Sequence, residues 1–355
     1  MTRILVLGAG VMGTAITLPM ADRGAEVRLV GTHLDRDTIA ALRDSRIHPR
    51  LRAPIHDRIV PTDDREMAAA FAGPLDLVVV GVSTPGIGWA ADRLAEHLSG
   101  DCPIVLLTKG IDAGTDGVGM LPDFLARRLA AAGRRHGPIG GIGGPCIAGE
   151  LAVRRETASV IGFSDLALAE DWARRLSTGY YQLRATDDLL GLEICAALKN
   201  FYAIGVGTAA GSLTARPAAN GAQLHNAAAS LFTQALRELA AIVEAAGGRS
   251  DSVHGLPGTG DLHVTCQAGR NARLGNLLGG GMRYSEAMAG PLAGETVEGT
   301  LVARTLGDIL GRPGGAGGLS AEDLPLTAAV IASVTTDAPF VPAWSRFHGG
   351  GGPAS

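Results

Sequence analysis

At 355 residues, with 46% hydrophobic and 19% charged side chains, the chain has the composition of a soluble globular protein and the length for two domains. A net charge of −4 leaves no basic surplus for nucleic acid or an anionic membrane. Cys102, Cys146, Cys195 and Cys266 stand far apart with no C-x-x-C, and the nine histidines make no paired ligand spacing. Reduced thiols, a cytoplasmic location and no metal site are therefore expected.

The chain enters a strand at Arg3 with no signal-peptide pattern. "RILVLGAGVMGTAITLPMADRGAEVRLVG" then reads strand, glycine turn, helix, strand. Gly8, Gly10 and Gly13 form G-x-G-x-x-G where the strand hands over to the helix. The first glycine permits the tight turn, the second lets backbone approach a pyrophosphate, and the third allows close helix–strand packing. A dinucleotide is expected at that helix N-terminus. "LDLVVVGVS" (75–83) and "CPIVLLTKG" (102–110) read as further buried parallel strands separated by helices, which makes a doubly wound sheet. The second strand ends "VRLVGTHLDRD", with Gly31, Thr32 and His33 where an acid would hold the adenine-ribose 2′-hydroxyl. Asp35 follows later, suited to capping the next helix. His33 and Arg36 are the candidates to meet a 2′-phosphate, so the cofactor leans to NADP over NAD.

Strand signals fade after residue 187, and helices are expected over 188–213, 226–247, 270–279, 297–310 and 323–335. The boundary falls near "RATDD" (184–188), where Thr186 or Asp187 can cap the long helix. The expected division is a Rossmann-type dinucleotide-binding domain over 1–186, an all-α substrate and catalytic domain over 187–340, and a flexible tail over 341–355. "GRPGGAGGLS" (311–320) adds a low-complexity stretch. Within 194–210 a single charge, Lys199, shares a helical stripe with Leu192, Cys195, Ala196, Tyr202, Ala203 and Val206. Such a lysine either snorkels out at the helix edge or is a functional group whose burial lowers its pKa. A membrane span is disfavoured there, because a lysine at the bilayer midplane is expensive.

The short strings "TKG" (108–110), "GGPCIAGE" (143–150), "ALKN" (197–200), "GTGDLHVTCQAGRNARLG" (258–275) and "VEG" (297–299) follow the glycine turn in a fixed order. Over roughly residues 3–340 this set resembles the NAD(P)-dependent glycerol-3-phosphate dehydrogenases. The resemblance implies reversible hydride transfer at C2 of dihydroxyacetone phosphate, a phosphorylated three-carbon substrate, and commonly a homodimer. It makes Lys199 the catalytic lysine and Asp261 the aspartate that orients it. It places Lys109, Gly144, Asn200, Thr265, Arg270 and Asn271 on the substrate. On the cofactor it places Val11 and Met12 of the turn, Lys109, Ala148, Arg270 and Glu298. Independently of the resemblance, "AGRN" precedes a helical run, so Arg270 and Asn271 lie at a helix N-terminus suited to phosphate.

Several positions depart from the family pattern. Cys146 stands in a "GPS" position, Gly269 replaces a serine, Ala228 occupies a basic position, and "GSLTARPAANGAQL" (211–224) is extra. Val11 and Met12 stand where many bacterial members have Ser-Trp. A dehydrogenase of another small phosphorylated alcohol or ketose is the nearest alternative reading. A β-hydroxyacid dehydrogenase would lack the "GDLHVTC…GRN" segment, and a non-catalytic cofactor sensor would have no use for Lys199 with Asp261. His225, His254 and His263 are expected to be structural or exposed.

Overall fold

The computed structural model describes residues 1–112, 119–215, 220–267, 269–312 and 314–349. The chain divides into two compact units, Met1–Lys109 with Met120–Glu193, and Gly110–Gly119 with Ile194–Ser355.

The first unit is built on one eight-stranded sheet. Its spatial order is Ile59–Thr62, Glu26–Val30, Arg3–Leu7, Leu77–Val80, Ile104–Leu106, Ile139–Gly143, Thr157–Gly162, Tyr181–Thr186. The first six are mutually parallel, and taken in chain order they stand 3-2-1-4-5-6, the Rossmann arrangement. Thr157–Gly162 runs antiparallel to Ile139–Gly143 and begins a two-strand extension. Ile4–Leu7 and Leu77–Val80 are wholly buried, as strands covered on both faces require. Strand order reverses between Arg3–Leu7 and Leu77–Val80, so the ligand crevice of such a sheet opens at their carboxyl ends. Both strands expected beyond the glycine turn are present, with regular cores at Leu77–Val80 and Ile104–Leu106.

The long helices are Leu189–Ala215, which starts in the first unit and continues into the second, and, within the second, His225–Ala245, Arg270–Gly279, Glu298–Leu310 and Pro325–Thr336. The first is capped by Asp188. Asp188 Oδ1 accepts the Gly191 N–H at 3.1 Å, and Thr186 Oγ1 accepts the Asp188 N–H at 3.0 Å. The cap sits one residue later than the sequence pattern suggests because Thr186 still belongs to its strand. Leu189–Ala215 is long and apolar enough to cross a membrane, yet 72% of its most apolar window is buried inside the protein. Its small residues have a packing reason. A Cβ at Gly207 would come within 2.6 Å of the Ala272 carbonyl, and one at Gly275 within 2.1 Å of the Ile204 carbonyl. Helix Arg270–Gly279 therefore lies backbone to backbone against the lysine-bearing helix.

Glu238, 1% exposed, joins the other long helices. Its two carboxylate oxygens accept the Leu326 and Thr327 N–H groups at 2.7 Å each, capping Pro325–Thr336. Gln234 donates to the same carboxylate at 2.7 Å, and its own carbonyl accepts the His348 N–H at 2.9 Å. Of the expected tail, Trp344–Gly349 forms a short helical segment interrupted by a kink at Phe347 and His348, with Phe347 buried, while 350–355 lie outside the described residues. Residues 216–219 of the extra stretch and 313 of the low-complexity stretch also lie outside them.

Candidate active site

In the first unit, the carboxyl ends of the two central strands form a cleft of about 310 Å³. Gly8 has φ +112°, a left-handed conformation that favours glycine, and a Cβ there would meet the Gly81 carbonyl at 2.8 Å. A Cβ at Gly13 would come within 2.1 Å of the Gly8 carbonyl, whereas one at Gly10 would meet nothing within 4 Å. The turn is thus closed on its protein side and open where Gly10 faces out. Helix Val11–Asp22 starts there, with Val11 and Met12 in its first turn. Its leading N–H groups have no intrahelical partner. This cradle fits a pyrophosphate.

The end of the cleft beyond the second strand is lined by Thr32, His33, Leu34, Asp35 and Arg50, and His33 meets Trp89 edge-on at 6.3 Å. Arg36 is turned elsewhere. It makes a bidentate pair with Asp64 at 2.9 and 3.0 Å and does not line the cleft. Arg50 was not singled out in the sequence; it reaches the cleft through a short strand pair, Ile47–His48 with Ala53–Pro54, that no periodicity announces. Asp35 stands at the N-cap position of the next helix without capping it. Its Oδ2 instead accepts the Thr32 N–H and hydroxyl at 2.8 Å each and the Ala9 N–H at 3.3 Å.

Along the same edge of the sheet, Lys109 follows Ile104–Leu106 and Gly144 follows Ile139–Gly143, two parallel neighbours. Ala148 opens the short helix Ala148–Ala152. Thr84 Oγ1 donates to the Lys109 carbonyl at 2.7 Å, which fixes the backbone after the strand. Glu193, also unremarked in the sequence, is 3% exposed, and its Oε1 fills the space a Cβ at Gly141 would need. Its Oε2 has no hydrogen-bond partner among the described residues. Burial pushes its pKa up to about 8, with Lys109 pulling the other way. A folded-state value above the ordinary 4.5 means that this group's contribution to stability is complete below about pH 4.5 and is lost as pH rises through about 8. Glu193→Gln, which is always neutral, is expected to flatten the fall in Tm over that window. Thermal melts of both proteins across it are the check, and parallel curves would show that Glu193 is not the group.

The second unit brings together the residues from 199 onward. Lys199 Nζ donates to Asp261 Oδ1; the lysine side chain is 12% exposed and the aspartate 1%. Lys199 therefore does not snorkel. Asp261 is aimed by an unusual entry: Leu256–Gly260 is a π-turn, closed by Gly260 N–H to the Gly255 carbonyl, which leads directly into helix Asp261–Gln267. Thr265 Oγ1 donates to the Asp261 carbonyl at 2.6 Å. A second chain of bonds stands next to this pair in sequence. Asn200 Nδ2 donates to Glu298 Oε2 at 2.8 Å, Asn271 Nδ2 donates to Asn200 Oδ1 at 3.0 Å, and Asn271 Oδ1 accepts the Gly299 N–H at 2.9 Å. Both amides are thus oriented by protein partners, and three separate helices are tied at one point.

Arg270 is the first residue of helix Arg270–Gly279, exposed and without a salt bridge among the described residues. It lines an open cleft of about 550 Å³ with Gly207, Cys266, Gly269, Arg273 and Asn276. Gly269 has φ +115°, so the glycine in place of serine matches a backbone that a side chain would strain. An unpaired guanidinium beside free helix N–H groups makes a ready anion site. His225, His254 and His263 are exposed, and burial pushes the Cys266 thiol up to about 12, which leaves it inert as a nucleophile.

Residues 3–169 match the family described as NAD-dependent glycerol-3-phosphate dehydrogenase N-terminus, and residues 188–343 match the corresponding C-terminus. The chain is 33% identical over 286 residues to the NADP(+)-dependent glycerol-3-phosphate dehydrogenase of Archaeoglobus fulgidus, covering 80% of this chain and 82% of that one. It is 37% identical over 307 residues to the glycerol-3-phosphate dehydrogenase [NAD(P)+] of Aromatoleum aromaticum, covering 85% and 86%. The crystal structure of the Coxiella burnetii glycerol-3-phosphate dehydrogenase superposes with a TM-score of 0.76 at 25% identity, over 95% of this chain and 96% of that one.

Proposed function

Because the chain belongs to the NAD(P)-dependent glycerol-3-phosphate dehydrogenase family, we propose that it interconverts dihydroxyacetone phosphate and sn-glycerol 3-phosphate. The observation that carries this reading is the buried Lys199–Asp261 pair in a unit that also presents an unpaired arginine at a helix N-terminus. One part handles a proton and the other an anion.

When bound, the nicotinamide supplies the hydride to C2 or takes it back. Lys199 gives a proton to the oxygen that develops on C2 during reduction and removes it during oxidation. Asp261 holds the ammonium in one direction, and the Asn200–Asn271–Glu298 chain keeps two amides in place beside it. Arg270 and the first turn of its helix take the substrate phosphate. Gly8, Gly10 and Gly13 with Val11 and Met12 hold the pyrophosphate, and Lys109, Gly144 and Ala148 serve the nicotinamide side. Most cofactor contacts thus come from residues 1–186 and the proton-transfer pair from 187–340, with Lys109 and Gly144 also serving the substrate and Arg270 and Glu298 also serving the cofactor. Initial rates with dihydroxyacetone phosphate, other phosphorylated ketoses and unphosphorylated dihydroxyacetone test the assignment. A wild type that prefers a different phosphorylated ketose would move the substrate while leaving the reaction type intact.

The cofactor reading leans to NADP because Arg50 and His33 line the end of the cleft that would take the adenosine, and Asp35, which also lines it, spends its Oδ2 on Thr32 and Ala9. Arg50→Ala is expected to weaken NADPH by about tenfold, or ~1.4 kcal/mol, and NADH much less, since a charged hydrogen bond of that order is lost only with the 2′-phosphate. Arg36→Ala, which breaks the Asp64 pair instead, is the control. Equal losses of both cofactors in Arg50→Ala would remove Arg50 from the 2′-phosphate. The same reading includes a cytoplasmic homodimer. The four widely spaced cysteines, with no C-x-x-C, support a reducing compartment, and light scattering tests the dimer.

A further inference from the structure

His48 is 1% exposed and lies on the strand pair that carries Arg50 to the cleft. Its Nδ1 accepts two backbone N–H groups, from Arg50 at 3.2 Å and Leu51 at 3.1 Å. An imidazole nitrogen that accepts has no proton, so the ring proton is on Nε2. That nitrogen lies 3.2 Å from the carbonyl oxygen of Ala9, which can only accept. The tautomer is therefore determined by its partners. Ala9 is the residue between the first two glycines of the turn, and its N–H is already taken by Asp35. Both polar groups of Ala9 are thus held by side chains, the N–H by Asp35 and the carbonyl by His48 and by Thr14 Oγ1.

We propose that His48 is a positioning residue for the cofactor, its neutral ring setting the Gly8–Gly13 turn and the backbone of Arg50 against each other. The first residue of the turn is in a conformation that costs backbone entropy to fix. Thr14 Oγ1, from the helix that follows, donates to the Ala9 carbonyl at 3.3 Å, and the His48 ring adds a restraint on the same carbonyl from outside the turn while its other nitrogen orders the Arg50 turn. Burial also keeps the ring below the ordinary imidazole range, which preserves the neutral form that both sets of bonds need. Arg50 opposes the ring's charging and Asp35 favours it. This proposal rests on the cofactor reading above.

Two variants separate the halves of the device. His48→Asn places an acceptor at the Nδ1 position and keeps the Arg50 turn, but cannot reach Ala9. His48→Gln reaches Ala9 as a donor but withdraws the acceptor from Arg50 and Leu51. Equilibrium binding of NADPH and NADH to the full chain, followed by fluorescence without substrate, is the readout, with melting temperature alongside. His48→Asn is expected to weaken both cofactors alike, by about three- to tenfold, the scale of one net hydrogen bond. His48→Gln is expected to weaken NADPH more than NADH, because only Arg50 is released. Both cofactors within twofold of wild type in both variants, whatever the melting temperature, would overturn the proposal. A wild type that binds neither cofactor would overturn the cofactor reading itself and the proposal with it. Should the variants fail to fold, long-range proton–nitrogen spectra of the wild-type His48 ring decide the matter. A bare Nδ1 and protonated Nε2 before and after NADPH are expected, and a proton on Nδ1 would overturn the assignment.

Discussion

Lys199→Ala is expected to lower kcat by at least ~10²-fold, the scale of general acid–base catalysis, and to leave NADPH affinity near that of the wild type. The cleft at the glycine turn, where the cofactor is proposed to bind, lies in the other unit, so loss of turnover without loss of binding is the signature of a proton-transfer group. Stability has to be separated from chemistry here, because Asp261 is 1% exposed. Removing the cation breaks a buried ion pair, which typically costs about 3–5 kcal/mol. Lys199→Met combined with Asp261→Leu replaces both charges with apolar groups of similar volume, and such a swap is often neutral or stabilising. The double variant is therefore expected to recover Tm and remain inactive. Lys199→Arg keeps a cation beside Asp261, yet a guanidinium hardly releases its proton, so it too is expected to lose turnover. Steady-state rates measured well below each variant's melting temperature are the check. More than half of wild-type turnover in Lys199→Ala would remove Lys199 from proton transfer.

What could be read in the chain itself follows from how local each signal is. The glycine turn is legible because spacing, strand and helix all lie within thirty residues, and the observed backbone uses each of its glycines differently. The long helices are legible for the same reason, and their bounds agree with the sequence patterns to within a few residues. Ile139–Gly143 is a strand with three glycines in five residues, so it has no alternation to detect. Its side chains are missing because Gly162 O and the Glu193 carboxyl occupy their places. Glu193 itself looks like an ordinary helix glutamate until that strand is laid over it. Arg36 and Arg50 invert the expectation for a similar reason. Arg36 is nearer the second strand in sequence, but Asp64, twenty-eight residues on, claims it. Arg50 is brought back by a two-residue strand pair too short to leave a pattern. The Ala- and Gly-rich composition around Lys199 is equally uninformative alone, since a membrane helix and a close backbone seam have similar sequences. The approach of Ala272 to Gly207 decides for the seam.

Arg270→Ala is expected to raise KM for dihydroxyacetone phosphate by roughly ten- to a hundredfold. Helix Arg270–Gly279 begins with a glycine at φ +115° and then the arginine, so the first-turn N–H groups and the guanidinium share one end of the helix. An anion bound there gains the helix dipole and a charge-assisted bond, and removing the charged partner typically costs about 1.5–3 kcal/mol. The loss belongs to ground-state and transition-state binding alike, because the phosphate does not react, so kcat at saturation is expected to change less than KM. Asn271 gives the contrast. Its amide is tied to Asn200 and the Gly299 N–H, so Asn271→Ala loosens the Glu298–Asn200 chain and is expected to affect kcat as well. The decisive comparison is the unphosphorylated ketone. Wild type is expected to use dihydroxyacetone very poorly, and Arg270→Ala to use it no worse than wild type does. An equal loss on both ketones would assign Arg270 to the fold or the cofactor. A wild type that prefers the unphosphorylated ketone would leave the anion site at this helix without a substrate to hold, and the glycerol-3-phosphate reading would fail with it.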